Sequence, residues 1–133
     1  MGGNCSALMH LLQGFNPQCL GAYIDPAHLV IEGEEFVFGL SMVKNYLSIV
    51  ALKDVLLVRG EAAKHGKKAL QWVTAGNGMV DWTVVFAELK RINYIGPLSI
   101  HCFCEAPEAE FMDAVRQEVA FFKSHLSALG EKR

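Results

Sequence analysis

Basic charge is scarce in this 133-residue sequence: 12 Lys and Arg stand against 14 Asp and Glu, a formal net charge of −2. A chain with no basic excess lacks the electrostatic footprint of a nucleic-acid binder, and no polybasic tail is present to meet anionic lipid. Long apolar runs are also missing. The longest, around Ile49–Leu52 and Val55–Val58, fall far short of the roughly 20 residues that span a bilayer. Met1-Gly2-Gly3-Asn4 lacks a charged start followed by an apolar core, so no signal peptide is expected. Met1-Gly2 with Ser6 matches only the crude acylation pattern, which is too short to assign an anchor. The four cysteines, Cys5, Cys19, Cys102 and Cys104, include no C-x-x-C pair. Cys102-Phe103-Cys104 has no second pair at zinc-ribbon spacing. Reduced, mostly buried thiols in a cytoplasmic protein are expected.

What is present suits a folded domain. Apolar residues make up 52% and charged residues 20%, enough to bury a core. Ala7, Leu8, Leu11 and Leu12 have helical spacing, and Gly14 suits a left-handed C-cap. Asn16-Pro17 marks a turn. Cys19–Ile24 is a continuous apolar run, as expected of a strand buried on both faces, and Pro26 stops it. Glu34–Leu47 reads as a helix with Leu40, Val43, Tyr46 and Leu47 on one face, and Ser48–Lys53 as the second strand. Residues 59–78, rich in Gly and Lys, read as a long loop. Asp81 is a good N-cap for a helix over Trp82–Arg91, with Val85, Phe86, Leu89 and Ile92 on its apolar face. Leu98–Phe103 reads as the third strand. Pro107 and Glu108 open a last helix with Phe111, Val115, Val119, Phe122 and Leu126 on its face, reaching about Leu129. Strands alternating with helices predict an α/β fold with a parallel sheet.

In such folds chemistry gathers at the C-terminal ends of the strands. The first strand ends at Asp25-Pro26-Ala27-His28, the second at Lys53-Asp54, and the third at His101 with Glu105 beyond it. Carboxylates and imidazoles together can hold a divalent cation or move protons. Each has a plainer role open to it. Asp25 before Pro26 could start a turn, His28 could pack on a helix, Lys53 and Asp54 could pair with each other, and His101 could be a satisfied core histidine. Glu105 could serve a helix dipole. Trp72 and Trp82 read as packing residues.

These segments resemble the sugar-phosphate isomerase/epimerase superfamily, whose members share a xylose isomerase-like (β/α)8 TIM barrel. Leu20–His28 is similar to a "G-x-x-x-D-x-x-H" strand end, and Val50–Asp54 to an "H-x-K-D" strand. Gly76–Trp82 resembles a "G-x-G-x-v-d-w" loop, and Tyr94–His101 the final "G-y-x-G-p-l-s-h-E" strand. The resemblance runs from about Gly14 to Leu126. It implies a partial barrel over residues 1–133, with about three parallel strand–helix units preceded by a helix. It also implies a sugar or sugar-phosphate substrate, a divalent metal (Mn2+ or Mg2+), and proton transfer beside a metal-bound carbonyl. By the same resemblance, Asp25 is a metal ligand, and His28, Lys53 and His101 contact substrate. The histidine ligand expected next falls on Ala51 and the glutamate on Phe103, leaving Glu105 as the candidate catalytic carboxylate.

A whole barrel needs about 250 residues, and three strands leave two sheet edges unpaired. The expectation is a segment inactive alone, which self-associates or pairs with a partner chain that completes the barrel. The alternative is a non-catalytic binding or assembly module without the metal site, which Ala51 and Phe103 favour. The superfamily's metal-dependent endonuclease activity would require several more His and Glu ligands, so no nucleic-acid partner is expected.

Overall fold

Helix α1 (Cys5–Leu12) begins where the Asn4 side chain accepts a hydrogen bond from the Ala7 N–H at 2.9 Å, satisfying one of the donors a helix start leaves open. The chain is seen in a computed structural model that describes residues 3–58, 69–101 and 107–130. After α1 come β1 (Ala22–Ile24), α2 (Pro26–Glu32), α3 (Phe36–Val43), β2 (Leu47–Leu52), β3 (Asp54–Val58) and β4 (Ala69–Val73). Helix α4 (Trp82–Arg91), β5 (Leu98–Ile100), a 3-10 turn (Glu108–Glu110) and α5 (Phe111–Gly130) complete the order.

Strands β1, β2 and β5 form one parallel sheet in that spatial order. Ile24 lies opposite Val50, and Leu52 opposite Ile100, so all three strands end at one edge. Ala22, Ile24, Val50 and Leu52 enter the core with Leu29, Leu40, Val43, Phe86 and Phe122. Burying side chains of this size contributes about 1.5–3 kcal/mol each. The other sheet face carries Tyr23, Ile49 and Ser99 around a depression of about 260 Å³. Tyr23 is half exposed there, on the side that a closed barrel would turn inward.

Several elements differ from the sequence reading. Pro26 does not merely stop β1. It is the first residue of α2, where its fixed φ and missing N–H are tolerated, and Gly33 closes that helix at φ 72°. Tyr46 and Leu47 leave the expected helix, which ends at Val43, and Leu47 opens β2. The expected loop over 59–78 contains β4, which pairs antiparallel with β3, Val55 opposite Trp72. The buried side of α5 is Ala114, Glu118 and Phe122, whereas Phe111 and Leu126 are exposed. The face is thus turned by roughly 60° from the apolar pattern, with Phe122 common to both. Phe122 sets this phase by meeting the Trp82 ring edge-on at 4.8 Å, with Phe86 at 6.3 Å.

Candidate functional site

At the end of β1 the chain leaves the sheet and immediately starts α2, so Asp25 becomes that helix's N-cap. Its Oδ1 accepts from the N–H groups of Ala27 at 3.0 Å and His28 at 3.4 Å. Its Oδ2 lies 3.0 Å from Lys53 Nζ, at the end of β2. The sequence reading allowed a Lys53–Asp54 pair; the cation instead crosses to the neighbouring strand. Lys53 Nζ is also 3.1 Å from His28 Nε2 and sits 4.4 Å from the Trp72 ring centroid on β4, within cation–π range. His28 stands on the first turn of α2, its ring 5.9 Å from Trp72, and its Nε2 is 3.7 Å from Asp25 Oδ2. Asp25 and Lys53 are largely buried, at 13% and 11% side-chain exposure, while His28 is 48% exposed and is the member that meets solvent.

His101 follows β5 and is tied to the sheet by its N–H donating to the Leu52 carbonyl at 2.9 Å. Its Nε2 lies 2.9 Å from the Tyr23 hydroxyl and 3.1 Å from Ser99 Oγ, with the tautomer deciding which group donates. Burial, followed by the charge of Asp25, pushes the Tyr23 phenol above its ordinary value of 10, so it keeps its proton. Four of the five expected site residues, Asp25, His28, Lys53 and His101, therefore stand at the ends of adjacent strands. Glu105 and Phe103 lie outside the described residues. Ala51 is fully buried opposite Ser99 and offers a methyl group where an imidazole was implied.

Two participants were missed. Trp72 carries no polar signal in a segment expected to be a loop, and its β-rich surroundings, Ala69-Leu-Gln-Trp-Val73, were the available clue. Asp54 was grouped with Lys53 at the strand end, yet it faces away and is 1% exposed. Its Oδ1 accepts from Val55 N at 2.9 Å and Val80 N at 3.1 Å. Its Oδ2 accepts from Gly76 N at 3.0 Å, Gly78 N at 3.2 Å and Trp82 Nε1 at 2.9 Å. A Cβ on Gly78 would collide with this carboxylate. The Gly76–Trp82 motif is therefore a loop folded around one buried acid.

Among the described residues the donor set does not fit a divalent metal, since no group of three or more His, Cys, Asp and Glu side chains converges. Asp25 spends one oxygen on a helix cap and the other on an ammonium.

A short parallel sheet with helices on one face and ionisable groups at its C-terminal edge defines a segment of a (β/α)-barrel. The chain belongs to the family described as the Xylose isomerase-like TIM barrel, whose model matches residues 1–125. The fold is similar to that of a xylose isomerase domain protein from Planctomyces limnophilus, with a TM-score of 0.73 and 22% identity over 96% of this chain. The chain spans 43% of that structure's length. No curated protein matches it. Among the described residues no helix is long and apolar enough to cross a membrane.

Proposed function

We propose that this chain is the C-terminal segment of a sugar or sugar-phosphate isomerase/epimerase barrel in the cytoplasm, and that it supplies the substrate-holding wall of the pocket. The convergence of Asp25, His28 and Lys53 at the ends of β1 and β2 carries this reading. Their charges nearly balance, and the half-exposed His28 gives a donor or acceptor to a polyol hydroxyl. His101, Ser99 and Tyr23 continue the polar rim across β5. Proton transfer beside a carbonyl requires a positioned base, whereas Asp25 caps α2 with Oδ1 and holds the Lys53 ammonium with Oδ2. That role falls to Glu105, two residues beyond the Phe103 position that the resemblance implies for the glutamate, in a barrel completed by a second copy or a partner chain. The second reading, a non-catalytic binding module, is favoured by the methyl of Ala51 at an implied ligand position.

The test is a titration of the purified chain with ribulose 5-phosphate, followed by backbone amide NMR, with His28→Ala alongside. The expected result is saturable shifts at Asp25, His28, Lys53 and His101 that the variant loses. Absence of shifts up to about 10 mM, weaker than any useful affinity, refutes the reading.

A further inference from the structure

This inference rests on the strand-end cluster being the ligand site. We infer that the ammonium of Lys53 takes the cation position of this site, so that the site needs no divalent metal and keeps one out. A metal would require an Asp25 oxygen at about 2.0–2.6 Å. Oδ1 already receives two helix N–H groups, and releasing them would uncap α2. Oδ2 faces Lys53 Nζ at 3.0 Å, and any metal reaching it would sit beside a like charge. The next nitrogen available, His28 Nε2, is also turned to that ammonium at 3.1 Å. The Trp72 ring, 4.4 Å from Nζ, provides a π face that favours a cation there. With its side chain 11% exposed, Lys53 is held in this position and does not extend into solvent. Ala51 adds no ligand. The positive charge next to a bound sugar oxygen thus comes from the chain itself.

Mn2+ alone is the probe, because its unpaired electrons broaden imidazole resonances nearby. The full chain is titrated with Mn2+ while the His28 Cε1–H signal is followed, and the same is done for Lys53→Met. In the wild type His28 is expected to stay sharp. In Lys53→Met, Asp25 Oδ2 and His28 Nε2 are released, and half-broadening is expected at about tenfold or more lower Mn2+, the effect of removing one repelling charge. Saturable broadening in the wild type that Asp25→Ala abolishes overturns the inference, and this measurement stands even if Lys53→Met fails to fold. Equal behaviour of wild type and a folded Lys53→Met overturns it too. A wild type that ignores both Mn2+ and ribulose 5-phosphate keeps this inference and refutes the proposed function. Mn2+ uptake together with sugar-phosphate binding does the reverse.

Discussion

Replacing Asp54 with Asn tests how the loop at residues 76–82 is held. The carboxylate accepts five N–H donors, two on Oδ1 and three on Oδ2. Asparagine keeps the shape but turns one acceptor into a donor. The least costly orientation keeps the amide oxygen at the Oδ2 position and sets its nitrogen against Val55 N and Val80 N, both buried. Each stranded buried donor costs about 1–3 kcal/mol, and the remaining three bonds lose their charge assistance. The expected loss is about 3–4 kcal/mol, a fall of roughly 10 °C in Tm for a chain of this size. Thermal melts followed by circular dichroism and by the fluorescence of Trp82, whose indole N–H is one of the five donors, measure it. Asp54→Ala removes every acceptor at once and should leave no cooperative transition, since total stability is only about 5–15 kcal/mol. A Tm for Asp54→Asn within about 2 °C of wild type would refute the account of Asp54 as the centre of the loop.

Phe122→Ala, deleting a ring that meets Trp82 at 4.8 Å and is 1% exposed, should cost about 3–5 kcal/mol in a denaturant titration; a loss below about 1 kcal/mol would place the centre of the core elsewhere. Burial, with Glu34 beside it, pushes the Cys5 thiol from 9.0 up to about 12, while Cys19 is exposed. Iodoacetamide at pH 8 should therefore alkylate Cys19 about 100-fold faster than Cys5, as read by peptide mass spectrometry; comparable rates would refute the burial of Cys5. Because the folded thiol holds its proton to about 12 and the unfolded thiol releases it near 9.0, stability from Cys5 is complete below pH 9 and declines above it. Cys5→Ser should flatten that decline in melts between pH 9 and 11, and an unchanged slope would assign it to other groups.

Much of the fold was legible because its signals are local. The run ending at Ile24, the apolar Val50–Leu52 and the helix after the Asp81 cap all occur where residue type and period place them. The strand ends were readable for the same reason, since charges interrupt apolar runs there. Side-chain partners were less legible. Lys53 and Asp54 are neighbours in sequence and look like a pair, but successive side chains of an extended chain point to opposite sides. Lys53 therefore reaches Asp25 across the sheet edge, and Asp54 turns inward to gather the Gly76–Trp82 backbone. The phase of α5 was decided by Trp82 and Phe86 on another helix, contacts that its own apolar spacing does not encode.

By itself, then, the sequence determined the alternation of strands and helices, the cap at Asp81, and the placement of ionisable groups at the strand ends. These depend on backbone geometry within a few residues. Only the tertiary structure decided that the cation beside Asp25 is Lys53, that Trp72 lies against it, and that β3 and β4 form a hairpin. Those outcomes depend on which strands become neighbours and in what register, and distant parts of the chain set both.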